Sequence, residues 1–221
     1  MTALVRCAGA SRTFGSGSRA VVAVHAATCA IERGDRIALM GPSGSGKSTL
    51  LHLLAGLTRP TSGSVEWPAF GHDPHGRTDE VGVVFQGASL VPLLTVAENV
   101  ALPLVLQGSV AEEASGRVQA ALTSIGVDDL ARKLPDEISG GQSQRVAVAR
   151  VLAGRPALIL ADEPTGRLDR EAAARVVVAL SAAADELGAA LVIATHDPWV
   201  AEPMTTRWTM RDGVLGSGAA R

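Results

Sequence analysis

The chain has 221 residues, enough for one large domain or two small ones, and 47% of them are hydrophobic, so a sizeable core is available. Twenty basic residues stand against 22 acidic ones, for a formal net charge of −2, and aromatics make up 3% with no tyrosine. This balance excludes the basic footprint and the stacking platforms on which nucleic-acid binding relies.

Residues 4–8 and 21–31 read as strands, separated by a Gly/Ser turn at 15–18. Residues 36–40 form a short apolar strand that runs into a glycine-rich loop, and residues 48–55, with Leu50, Leu51, Leu53 and Leu54, read as the helix that follows. Two further strands are expected at 64–67 and 81–85. From 95 to about 154 the pattern is helical, with turns near Gly108, Gly126 and Pro135. A buried strand at 157–161, a helix at 170–187 and a second buried strand at 191–195 follow, and residues 207–215 read as a hairpin turning at Asp212-Gly213. Residues 216–221 are expected to be a loose tail. Buried strands alternating with helices imply an α/β chain with a mostly parallel sheet, into which the helical stretch of about 90–155 is inserted.

The cysteines, Cys7 and Cys29, form no C-x-x-C motif and are expected as buried, reduced thiols. No continuous apolar stretch follows Arg6 and Arg12, so no secretory leader is expected. The most apolar segment, 88–106, is broken by Pro92, Glu98, Asn99 and Pro103 and is unsuited to spanning a bilayer. A cytoplasmic, soluble chain is expected.

The loop Gly41-Pro42-Ser43-Gly44-Ser45-Gly46-Lys47-Ser48, followed by Thr49, fits the phosphate-binding pattern G-x-x-x-x-G-K-[ST] at every fixed position. It holds one of only two lysines, the other being Lys133. A compact ammonium at Lys47 suits the space between phosphate oxygens better than the fork of an arginine. Backbone amides of the loop and the positive end of the following helix would face the phosphates, and Ser48 would coordinate Mg2+. Downstream, the apolar run 158–161 ends in Asp162 and Glu163. Acids at the carboxyl end of such a strand lie where open α/β sheets bind ligands. Asp162 can hold the metal, and Glu163 can deprotonate an attacking water. The run Ile138-Ser139-Gly140-Gly141-Gln142 before a helix is a capped start with glycine-freed amides, a second place for an anion.

Taken in order, these motifs resemble the nucleotide-binding subunits of ABC transporters over nearly the whole chain. Gln86 after Val83-Val84-Phe85, Asp169 after Gly166-Arg167-Leu168, and His196 between Thr195 and Asp197 complete the set. The resemblance implies a P-loop NTPase with a RecA-like, mostly parallel core, an antiparallel β-subdomain at the amino end and the inserted helical subdomain. It implies ATP and Mg2+ as ligands, with Gln86 joining Ser48 and Asp162 at the metal. Glu163, Lys47 and His196 become the catalytic residues. Phe14 is expected at adenine, and Ser139, Gly140, Gly141, Gln142 and Asp169 at the seam of a head-to-tail pair, either a homodimer or two different cassettes.

Residues 90–100 with Pro103 are similar to cassettes of the lipoprotein-release, macrolide-efflux and cell-division group. That implies an integral membrane permease as partner, contacted around residues 88–106, a peripheral location on the cytoplasmic face, and no nucleic acid. The alternatives are a non-transport ABC-type ATPase acting on nucleic acid or ribosomes, and a nucleotide-dependent regulatory switch. Against the group's usual pattern, Ser143 and Arg167 are substitutions, and the stretch 63–86 is short. His72 and His75 fall in that stretch, where a polar turn is expected rather than a metal site.

Overall fold

The computed structural model describes residues 2–219. Nine strands form one sheet in the order β4-β1-β2-β9-β8-β3-β7-β6-β5. These are β1 (Val5–Phe14), β2 (Val21–Ile31), β3 (Arg36–Met40), β4 (Ser62–Glu66), β5 (Val81–Val84), β6 (Leu158–Asp162), β7 (Ala190–Thr195), β8 (Thr206–Arg211) and β9 (Val214–Ala219). The helices are α1 (Lys47–Leu54), α2 (Val96–Leu106), α3 (Ala111–Ile125), α4 (Gly140–Gly154), α5 (Arg170–Leu187) and α6 (Pro198–Ala201).

The strands β8, β3, β7, β6 and β5 run parallel, so the carboxyl ends of β3, β7 and β6 lie side by side. Their near-continuous apolar sequences follow from burial on both faces. Leu158 and Leu160 point into one core, which also holds Leu50, Leu51, Leu53 and Leu54 of α1. Ile159 and Ala161, their alternates, point into the other, with Val100, Leu122, Val148 and Val176 of the helices on that side. The inserted helices therefore complete the second core.

At the amino end, β1 pairs antiparallel with β2 and β4, as expected of the β-subdomain. It is joined to the parallel strands through β9, which touches β2 at His25 and Val214 and pairs antiparallel with β8. The turn Asp212-Gly213 supplies the two positive φ values, 50° and 77°, that a tight hairpin needs. The expectation of a loose tail from 216 is corrected, because β9 runs to Ala219 with Gly216 opposite Thr209. Residues 220 and 221 lie outside the described residues. Strand β1 also extends well past the expected residue 8, to Phe14, with register shifts that keep it paired to β2. Between β4 and β5 the short stretch forms turns in place of a helix. Among the described residues, no helix is long and apolar enough to cross a membrane.

Leu160 is fully buried at the centre of β6. Leu160→Ala should lower the unfolding free energy by about 2–5 kcal/mol in urea titration, the usual cost of a lost side chain plus the cavity it leaves.

Candidate functional site

The site begins where β3 ends. The chain turns through Gly44 and Gly46, at φ 77° and 103°, into α1. Gly46 caps α1 without any side-chain bond, whereas Thr95, Ser139 and Asp169 cap α2, α4 and α5 with theirs. The first amides of α1 are thus left for a ligand, at the positive end of the helix dipole. A Cβ at Gly41 would overlap the carbonyl of Met210, and one at Gly46 the carbonyl of Ala23. Gly213 also donates its amide to the Ser45 carbonyl at 3.0 Å. The loop is held between β2 and the β8–β9 hairpin by contacts that only glycine permits.

Lys47 is buried, and its Nζ donates to the carbonyls of Gly41 and Pro42 at 2.8 and 3.1 Å. Its ammonium lies 3.8 Å from Glu163 Oε1. Glu163 follows the last residue of β6 with φ 46°, an uncommon backbone state for a non-glycine residue, and its amide donates to Ala194 on β7 at 2.9 Å. His196 Nδ1 sits 2.9 and 3.1 Å from the two Glu163 oxygens. A carboxylate only accepts, so this geometry selects the Nδ1–H tautomer. Asp162 is buried at the end of β6. Burial pushes its carboxyl up from the ordinary range, while the bond from Ser48 pulls it down.

These groups share one cavity of about 580 Å3, whose lining includes residues 42–49, Gln86, Asp162, Glu163 and His196. Ala23, Gly166 and Arg167 complete it and were not expected as site residues. The glycine cradle, the uncapped helix start and the buried, unpartnered Ser45 Oγ fit a polyphosphate. A hydroxyl, a carboxylate and an amide oxygen at Ser48, Asp162 and Gln86 fit a hard divalent cation. Among the described residues no three His, Cys, Asp or Glu side chains gather as a metal cluster. His72 instead pairs with Glu80 at 3.0 Å, and Asp73 accepts from the His75 amide at 3.0 Å, as a polar turn should.

Other expected site residues lie outside this lining. Ser139 Oγ accepts from the Gln142 amide at 3.2 Å while Gln142 Oε1 accepts from the Ser139 amide at 2.8 Å, a reciprocal cap on α4. Ser139 and Gly140 are exposed. Gly141 packs against Leu168 and the Arg167 carbonyl. Asp169 is exposed and caps α5 by accepting from the Ala172 amide at 2.9 Å. Phe14 is 45% exposed at the end of β1 with the Arg12 guanidinium 4.8 Å from its ring centre. It pairs with Val21, two residues from Ala23 of the cavity wall. Cys7 and Cys29 are free thiols on facing positions of β1 and β2.

Gln144, Arg150 and Asn99 are interior polar groups that the sequence reading missed. Asn99 is fully buried and accepts from the Val91 amide at 2.7 Å, while its Nδ2 reaches the carbonyls of Val91, Leu94 and Thr95. Its signal was a polar residue inside an otherwise apolar helical stripe. Gln144 carries the same signal, four residues before Val148 on the buried face of α4.

The sequence model of the family described as "ABC transporter" matches residues 24–166. The lipoprotein-releasing system ATP-binding protein LolD of Legionella pneumophila (strain Lens) is 40% identical over 211 residues, covering 92% of this chain and 93% of that protein. LolD of Shewanella denitrificans is 36% identical over 223 residues, covering 97% and 95%. The dimeric structure of the ATP-binding cassette MJ0796 in a post-hydrolysis state bound to ADP and Pi superposes with a TM-score of 0.90 at 34% identity, covering 98% of this chain and 99% of that one.

The bond from the Ala172 amide, first among its causes, holds the Asp169 carboxyl below its ordinary range. A depressed folded value adds stability above the unfolded pKa that is lost as pH falls through the folded one. Thermal melts should therefore show wild type more stable than Asp169→Asn at neutral pH, with the difference vanishing in acid below the depressed value.

Proposed function

Because the chain belongs to the ABC transporter family, we propose that it is the ATP-hydrolysing cassette of a lipoprotein-release type transporter, working in pairs beneath a separate membrane permease. The observation that carries this reading is the convergence of Lys47, Asp162, Glu163, His196 and Gln86 on one cavity at the ends of four adjacent parallel strands.

The amides of the loop and of the first turn of α1 bind the phosphates of ATP. Lys47 exchanges its bonds to the Gly41 and Pro42 carbonyls for phosphate oxygens, so binding replaces internal partners with ionic ones. Ser48, Asp162 and Gln86 hold Mg2+, which when bound neutralises charge on the phosphate oxygens. A buried Asp162 is costly as an isolated anion and is compensated by that cation. Glu163 accepts the proton of the attacking water, and His196, bonded to it, fixes its orientation. Phe14, on the strand pair that supplies Ala23, stacks on the adenine.

The exposed start of α4 belongs to the partner's nucleotide. Ser139, Gly140, Gly141 and Gln142 of one copy close over the phosphates held by the other, with Asp169 at the seam. The apolar groove of about 280 Å3 lined by Leu57, Val83, Phe85, Leu102, Pro103 and Leu106 lies beside Gln86 and receives the permease. Leu106 of this lining is 78% exposed and its chain neighbour Val105 65%, apolar surface that suits a protein contact. In this reading the protein sits at the cytoplasmic face of a membrane, held there by its partner.

Glu163→Gln should bind ATP, lose roughly 10²–10⁴-fold in turnover and accumulate as an ATP-bound dimer in size-exclusion chromatography. Near-wild-type turnover would remove Glu163 as the base. Lys47→Ala should lose at least about tenfold in ATP affinity by titration calorimetry; unchanged affinity would contradict the phosphate site.

A further inference from the structure

The loop that carries Gln86 is fastened to one helix from both sides. On its amino side, Gln144 Nε2 donates to the Phe85 carbonyl at 3.2 Å. On its carboxyl side, the Arg150 guanidinium donates to the Ala88 carbonyl at 3.2 Å and the Ser89 carbonyl at 3.0 Å. Both side chains belong to α4, the helix that begins at the Ser139 cap. Ser89 has φ 46°, so the Arg150 bond also holds a backbone state unusual for serine.

Packing alone does not explain Gln144. It is 1% exposed, and its Oε1 finds no hydrogen-bond partner among the described residues. A buried amide oxygen without a partner destabilises a core, and methionine would fill the same space without that penalty. The residue is better accounted for by what its nitrogen holds. Arg150, half-shielded between α4 and the loop, likewise spends its donors on two loop carbonyls and no carboxylate.

We propose that Gln144 and Arg150 are positioning residues that bind segment 85–89 to α4, so that Gln86 and the Ser139 helix start move as one body. The inference rests on the cassette reading above. In that reading, Ser139 meets the nucleotide of the partner copy while Gln86 faces the nucleotide of its own. A rigid link between them lets closure over one nucleotide set the position of Gln86 at the other. A shift of α4 is delivered to the loop through one carbonyl bond before Gln86 and two after it, and neither Gln144 nor Arg150 needs to touch ATP.

The test compares full-length wild type with Gln144→Met and Arg150→Met by two readouts. In amide hydrogen exchange without nucleotide, each variant should speed exchange around residues 86–91 by about tenfold or more, including the Val91 amide that bonds Asn99. Exchange across the phosphate loop should stay unchanged, and Gln144→Met should melt no lower than wild type. In steady-state ATPase assays, kcat should fall about tenfold with KM for ATP within about twofold, since the phosphate cradle is untouched. Wild-type exchange and kcat in Gln144→Met would overturn the link. Faster exchange everywhere, with a lowered melting point, would also overturn it, because the residue would then be an ordinary structural one. An inactive wild type would overturn the cassette reading, and the exchange readout would still decide whether α4 holds the loop.

Discussion

The phosphate loop depends on backbone approaching backbone with no side chain between. Met210 and Ala23 present their carbonyls where Gly41 and Gly46 would otherwise carry a Cβ, and Gly213 donates to Ser45 from the hairpin turn. These contacts fix the backbone of the loop. Preorganised dipoles need little rearrangement when charge is bound, so the loop can bind an anion strongly without a large ordering cost. The nearby strands are apolar because they are buried on both faces, and that rigid sheet delivers Asp162, Glu163 and His196 to fixed points around the loop.

Charged groups of the site satisfy one another. Lys47 bonds its own loop, and His196 bonds Glu163. In the proposed reading, phosphate oxygens replace the two carbonyl partners of Lys47. The site is thus stable by itself and still convertible, because the exchange trades hydrogen bonds for hydrogen bonds to a more highly charged acceptor.

Much of this was legible in the sequence because it rests on local chemistry. The loop pattern, the acids after residues 158–161, and the Asp212-Gly213 turn each follow from a few adjacent residues whose backbone needs are specific. The sheet's continuity was not legible. The pairing of His25 with Val214 joins strands far apart in the chain, and nothing local marks it. The tail misled because glycine, serine and alanine read as a loose end, yet these residues pair with β8 through backbone bonds that any small residue can make. Gln144, Arg150 and Asn99 were missed because each acts on a distant or irregular carbonyl, which periodicity does not predict. Phe14 shows the opposite limit: its position was readable, but its exposure and the Arg12 stacked on it were not.

The β8–β9 hairpin closes one wall of the loop, and it is made from residues far downstream of Ser45. During synthesis on the ribosome, the segment from 41 to 48 emerges long before Met210 and Gly213 exist. A nascent chain at that stage lacks the buttress that sets the loop's shape. Nucleotide capture must await nearly the whole polypeptide, so incomplete translation products carry the phosphate-binding sequence without its grip.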